Sequence, residues 1–279
     1  MANRESISIT ILVENCVGLA GLKAEHGLSV LIETDGQRFL FDCGQTNQLQ
    51  ENASNLGLSL HNLDAVILSH GHYDHSGGLM SIIGKNPGIR VYGHPAVFEK
   101  KYISMDGSYR YIGMQYKKED YEKAGAKFML SEKSQQIGEE IYSCGFIPRT
   151  TEFEQVSPSF FKKVGKNYIE DDIPDDNCLV VQQGKKNILF LGCTHSGIIN
   201  TLKHVSKTWN MSGFLMVAGG MHLVDKSRQY VENVLGKMEE FNIDKVMPLH
   251  CSGLNHLGLF SQYFGSSLNY GSTGKIMRF

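Results

Sequence analysis

The chain has no apolar run near the ~18–20 residues that a membrane-spanning helix needs, so no such helix is expected. It has no basic excess either: 27 Lys and Arg stand against 29 Asp and Glu, for a net charge of −2. Nucleic-acid binders draw on clustered positive charge and peripheral membrane proteins on lysine runs, so neither class of partner is expected. Cysteine is sparse. The residues at 16, 43, 144, 178, 193 and 251 form no CxxC pair and no dense framework, the usage of a reduced, cytoplasmic protein. The first six residues lead into Ile7–Val13 without the apolar core and cleavage site of a signal peptide. What is present is enough apolar content for a full core: 41% of 279 residues.

Strand and helix signals alternate along the chain. Ile7–Val13 alternates apolar and polar residues, as a half-buried strand does. Leu28–Asp42 reads as a hairpin turning at Asp35-Gly36. Gln48–Leu56 reads as a short helix stopped by Gly57, residues 65–69 as a buried strand, residues 78–84 as a helix and Arg90–Gly93 as a strand. In the second half, Cys178–Gln183 and Asn187–Leu191 flank Gly184-Lys185-Lys186, which is a turn and not a phosphate loop, because no GxxxxGK[ST] pattern exists. Helices are expected at Gly197–Val205 and Lys226–Phe241, and strands at Phe214–Ala218 and Asp244–Leu249. This is an α/β pattern of sheets covered by helices, with no linker to split residues 1–279. The stretches 98–135 and 150–176 differ. The first carries Tyr102, Tyr109, Tyr111, Tyr116 and Tyr121, with a helical signal at Lys117–Ala124 and a strand at Lys127–Leu130. Both stretches read as loops and insertions that shape a substrate pocket or cover the core.

The chemistry is concentrated in Ser69-His-Gly-His-Tyr-Asp-His-Ser-Gly-Gly-Leu79. Three imidazoles and a carboxylate, His70, His72, Asp74 and His75, offer what Zn²⁺ and related ions accept. They follow a buried strand, and Gly71, Gly77 and Gly78 let the chain turn sharply there. The motif of an apolar strand, then His, then small residues recurs at His195, His222 and His250. In an α/β sheet such strand ends open onto one crevice.

On these residues the chain resembles the metallo-β-lactamase superfamily. HxHxDH stands as His70–His75, later single histidines match at His195 and His250, and Phe41-Asp42-Cys43-Gly44 matches a strand-end Asp-x-Gly. It is most similar to the dihydropterin–ribofuranosylaminobenzene-phosphate synthase-like branch, at Leu12–Asn15, Glu25–Ser29, Leu68–Leu79, Gly219–Leu223, His250–Gly253 and Gly271–Phe279. The resemblance implies a four-layer αββα sandwich, one domain over residues 1–279, and two metal positions. His70, His72 and His195 would hold one ion; Asp74, His75 and His250 would hold the other. Zn²⁺ is expected, as one or two ions, with Mn²⁺, Mg²⁺ or Fe²⁺ as alternatives. One departure stands out. The superfamily's bridging aspartate is missing: the strand end reads Gly219-Gly220-Met221-His222, and no carboxylate follows until Asp225. The second position is therefore open to being weak or empty.

His222 has three candidate roles, as ligand, general acid/base or substrate contact, besides a purely structural one. Asp74 would help position the attacking water. Asp42 would orient the metal loop by accepting a ligand N–H or backbone amides. Glu25 and His26 are candidates for the substrate rim, with loop capping as the alternative. Cys43, Cys193 and Cys251 lie beside Asp42, His195 and His250 and are expected to pack as small residues beneath the ligands, with a thiolate metal site as the alternative. His61, His94, His204 and His256 read as ordinary surface or partly buried residues. The functional expectation is a metal-dependent hydrolase or pterin-type transferase. Its substrate is small and phosphorylated or pterin-like, attacked by metal-activated water or losing (di)phosphate in a transfer. The tyrosines at 102–121 would suit stacking on a flat ring. A non-catalytic metal-bound sensor is the alternative; a diiron redox centre and a nuclease fit less well. A homo-oligomer is compatible with the composition.

Overall fold

A computed structural model describes residues 7–34, 36–183, 186–210 and 213–279. Two sheets lie face to face. One runs in the order Ile276–Arg278, Ser8–Val13, Ser29–Thr34, Gln37–Phe41, Ala65–Ile67, Arg90–Gly93, Lys127–Leu130. The other runs Val246–Leu249, Phe214–Gly220, Lys186–Leu191, Cys178–Gln183, Ile141–Ser143, Gln135–Gly138. Side-chain alternation decides the layers. Phe39, Phe41, Ala65 and Ile67 point into the space between the sheets, where they meet Leu179, Val181, Ile188 and Phe190. Their neighbours point the other way. Leu40 and Val66 pack under helices Gln48–Asn55 and Leu79–Lys85, and Val180, Leu189 and Leu191 under helices Ile198–Thr208, Arg228–Met238 and Leu257–Phe264. Both faces of the central strands are therefore apolar, which is why they read as continuous hydrophobic runs. Helix, sheet, sheet and helix make the four-layer αββα sandwich.

The hairpin between Ser29–Thr34 and Gln37–Phe41 pairs Thr34 with Gln37; Asp35 of its expected turn lies outside the described residues, as do Gly184 and Lys185 of the second turn. Gly36 has φ +75°, the conformation that favours glycine.

One expectation needs correction. Residues 98–135 and 150–176 are not loops throughout. Lys101–Met105 and Ser108–Tyr111 form a hairpin, Phe160–Val164 and Asn167–Glu170 form another, and the two join into a four-stranded antiparallel sheet through Phe160–Ile103 and Phe161–Tyr102 pairing. Ser108–Tyr111 is exposed throughout and Asn167–Glu170 nearly so, and these two strands lack the buried apolar face that makes a strand visible in sequence. The five tyrosines do not form a stacking platform at the histidines. Tyr109 stacks on Tyr168 at 4.0 Å, Tyr102 packs edge-on to Tyr111 and Tyr168, and Tyr121 is fully buried in the core with Tyr116 against it.

Candidate functional site

Five segments that leave strand ends on one edge of the sandwich carry the polar cluster: Asp42, Ser69–His75, Cys193–His195, Met221–His222 and His250. The backbone is strained there. Asp42, Thr194, His222 and His250 have φ of 58°, 61°, 47° and 50°, a left-handed region that non-glycine residues seldom occupy. Side-chain contacts fix these turns. Thr194 Oγ1 donates to the Gly220 carbonyl at 2.6 Å, and Glu14 Oε1 accepts from the His250 amide at 2.7 Å.

His70, His72 and His195 converge. His70 Nε2 and His72 Nδ1 are 2.9 Å apart, and the His195 ring centroid lies 4.9 Å and 5.0 Å from those of His70 and His72. All three are buried. Among the described residues, Nε2 of His72 and both ring nitrogens of His195 have no hydrogen-bond partner. Buried polar atoms are rarely left so, and such an orphan calls for an ion, a water or a strain reservoir. Burial holds His70 and His195 well below the ordinary imidazole pKa and pushes His72 down to about 3, so all three are neutral lone-pair donors at pH 7. That donor set fits a divalent ion of the zinc type.

The second group sits beside it. Asp74 Oδ2 lies 3.2 Å from His26 Nε2, 3.3 Å from His250 Nε2 and 3.8 Å from His75 Nε2. His75 Nε2 is 3.3 Å from His250 Nε2. Burial raises the Asp74 pKa, but His75, His250 and His26 more than reverse that and hold it well below the carboxylate range. Two of the ligand candidates, His75 and His250, are held from behind. Asp42 accepts from His75 Nδ1 at 2.7 Å, from the Ser69 hydroxyl at 2.6 Å and from the Ser69 amide at 2.7 Å. Asn15 Oδ1 lies 2.9 Å from His250 Nδ1. Gly71 must be glycine: a Cβ there would lie 2.1 Å from the Val97 carbonyl oxygen. Its amide donates to Asp175 at 2.8 Å, and the other oxygen of Asp175 takes the fully buried Lys101 ammonium at 2.6 Å, with Asp171 at 3.3 Å. The small sheet is thus bonded to the HxH turn.

The cluster opens into a cavity of about 230 Å³. Ile103, Met105, Ile112, Phe160 and Val224 make its apolar wall; Arg110, Tyr73 and His26 are its polar members nearest solvent. His72 stacks on Phe160 at 5.4 Å, and Arg110 donates to the Tyr73 hydroxyl at 3.4 Å.

Of the expected site residues, His70, His72, Asp74, His75, His195 and His250 meet in this cluster. His222 joins it, its ring 4.4 Å from that of His195 and its Nδ1 without a partner among the described residues. His26 lines the cavity, whereas Glu25 does not. Its carboxylate accepts from the amides of Gln45 and Thr46 at 3.0 and 3.2 Å and from the Thr46 hydroxyl at 2.5 Å, so it caps the loop after Asp42 rather than reaching the rim. Cys43 packs in the core. Cys193 and Cys251, expected to lie beneath the ligands, instead line the cavity. His94 and His256 are more deeply buried than expected, and His94 Nδ1 accepts from the Ala96 amide. Glu14, Asn15, Ser69, Lys101 and Asp175 were not singled out as site residues. Glu14 and Asn15 lie in a matched motif, but only the fold brings them to His250.

Comparison with known proteins agrees with this geometry. Residues 22–202 match the family described as the Metallo-beta-lactamase superfamily. An uncharacterized protein of Methanocaldococcus jannaschii is 36% identical over 274 residues, covering 96% of this chain and 99% of its own length. The 7,8-dihydropterin-6-methyl-4-(beta-D-ribofuranosyl)-aminobenzene-5'-phosphate synthase of the same organism is 28% identical over 287 residues, covering 99% and 97%. Among solved structures, Tm1679, described as a metal-dependent hydrolase of the beta-lactamase superfamily, superposes with a TM-score of 0.84 at 27% identity over 97% of this chain and 98% of its own.

Proposed function

Since the chain belongs to the metallo-β-lactamase superfamily, we propose that it is a metal-dependent enzyme acting on a small phosphorylated or pterin-like molecule. The reaction is hydrolysis or a transfer that displaces (di)phosphate. The observation that carries this reading is the set of unpartnered, buried nitrogens on His72 and His195, beside His70, at the floor of an apolar-walled cavity. His70, His72 and His195 would hold one divalent ion, and Asp74, His75 and His250 a second. An ion held there would supply Lewis-acid polarisation of a phosphoryl or carbonyl oxygen.

The chain's own residues do the rest. Ile103, Met105, Ile112 and Phe160 receive a flat, largely apolar body and exclude water from it. Arg110 and His26 meet an anionic group at the mouth. His26 is kept more basic than usual by its hydrogen bond to Asp74, which suits that task. His222 delivers a proton to the departing oxygen. Burial lowers its pKa, but the Cys251 sulfur more than reverses this and holds it above the ordinary imidazole value. Residues 98–135 and 150–176 act as the pocket-shaping part of one catalytic unit, and Lys101 and Asp175 tie that part to the metal loop. The similarity to the dihydropterin synthase supports the pterin-like substrate class.

A metal-bound, non-catalytic sensor is the second reading. The glycines and His222 at the strand end where a carboxylate would bridge two ions favour it. Turnover separates the two. The full chain, loaded in turn with Zn²⁺, Mn²⁺ and Mg²⁺, is assayed on phosphomono- and phosphodiesters and on a dihydropterin diphosphate with an arylamine acceptor. Turnover that disappears with chelator and in His70→Ala supports the enzyme. Tight binding of these compounds with no metal-dependent turnover supports the sensor.

A further inference from the structure

We propose that the Cys193 thiolate bridges the two metal positions, in the place where this chain lacks a carboxylate. The inference rests on the metal-centre reading above and adds a ligand to it.

Cys193 is a buried side chain at the meeting point of the two groups. Its sulfur is 3.2 Å from His75 Nε2. Its sulfur also lies within 4.8 Å of ligand nitrogens of His70 and His75 together, of His195 and His222 together, and of His250 with the Cys251 sulfur. Cys193 thus reaches both His70 and His195 on one side and both His75 and His250 on the other. Two ions in such centres sit ~3.5–4 Å apart. A sulfur ~2.3 Å from each ion, with imidazole nitrogens at ~2.0–2.1 Å, fits donor separations of this size. The orphaned nitrogens of His195 and of His72 point independently to an ion beside it.

The strand end opposite cannot supply the bridge. A Cβ on Gly219 would lie 2.1 Å from the Leu191 carbonyl oxygen. One on Gly220 would lie 2.3 Å from the Gly192 oxygen and 2.6 Å from the Cys251 sulfur. The turn Gly192-Cys193 is packed so closely over these glycines that any side chain there is shut out. The same close packing sets Cys193 at the centre of the cluster. Cys251 is differently employed: its sulfur accepts from the His222 amide at 3.3 Å and approaches the Cys193 carbonyl oxygen at 3.6 Å. It supports the two turns that carry Cys193 and His222.

The test is spectroscopic. The full chain is stripped with chelator and reloaded with Co²⁺, and metal content and the near-ultraviolet thiolate-to-cobalt charge-transfer band are read together. Two cobalt ions per chain with the band are expected. Cys193→Ser loses the band and holds one ion, Cys193→Asp regains the second ion without the band, and Cys251→Ser keeps both. In the unsubstituted chain loaded with cadmium, both cadmium resonances carry the deshielding of a thiolate ligand, a readout that stands even where a variant fails to fold. A band that survives in Cys193→Ser, or a cadmium pair with one or no thiolate-shifted resonance, overturns the bridge and leaves the metal centre standing. Failure of the unsubstituted chain to bind Co²⁺, Zn²⁺ or Cd²⁺ overturns both.

Discussion

The carboxylate of Asp42 and the imidazole of His75 face each other at 2.7 Å in complete burial. The pairing consumes Nδ1 of His75 and leaves Nε2 turned toward Asp74, His250 and Cys193. Because Asp42 also takes the amide and hydroxyl of Ser69, it fixes both ends of the HxHxDH turn. Asp42→Ala is expected to weaken divalent-metal binding ~10–100-fold, as loss of a ligand's orienting partner does. Asp42→Asn, which keeps an acceptor, recovers part of that loss. Calorimetric titration of stripped protein measures both.

Lys101 is a buried cation facing two carboxylates, and burial alone would depress its pKa; Asp175 and Asp171 more than offset this and keep it charged. Lys101→Met leaves those carboxylates uncompensated and is expected to cost ~3–5 kcal/mol in urea unfolding. The double variant Lys101→Met with Asp175→Asn should be less damaged than the single one. An additive double variant would show that the pair is not coupled.

Acid should destabilise the metal-free chain. The folded state holds protons on His70, His72 and His195 less tightly than the unfolded chain, whose imidazoles titrate near ~6.5. Their contribution is fully present above about pH 6.5 and is lost as pH falls toward 3, at ~1.4 kcal/mol per pH unit for each proton taken up. His75 runs the other way. Burial lowers it, but Asp42 and Asp74 more than reverse that and raise it to about 9, so its contribution is present below about pH 6.5 and lost as pH rises through 9. Urea midpoints of chelator-treated protein should peak near neutrality, and His72→Gln should flatten the acid limb. An acid limb equally steep in that variant contradicts the assignment.

Arg110 is the cation on the small sheet that lines the cavity mouth. Arg110→Gln is expected to raise KM for an anionic substrate ~10-fold, about 1.4 kcal/mol, with kcat little changed. Steady-state kinetics on charged and neutral analogues checks this; an equal change for both would remove Arg110 from substrate recognition.

The histidines were legible because their residue type is chemically specific and each follows a strand apolar on both faces, a pattern written locally in the chain. The small sheet was not, because its central pairing joins Ile103 to Phe160 and its outer strands, Ser108–Tyr111 and Asn167–Glu170, are largely exposed. Glu25 shows a second limit: a carboxylate that caps Gln45 and Thr46 looks, in sequence, like one that meets a substrate. Glu14 and Asn15 show a third, since their contacts to His250 cross 236 and 235 residues. Cys193 and Cys251 read in sequence more as packing residues than as ligands, because a cysteine's environment, and not its spacing here, sets its role.

Metal content decides the central claim. Stripped full-length protein titrated with Zn²⁺ in a calorimeter should bind it tightly, and the double variant His70→Ala with His195→Ala should lose the first site while remaining folded by circular dichroism. Absence of Zn²⁺ binding, or binding unchanged in that variant, would contradict a metal centre built on these histidines.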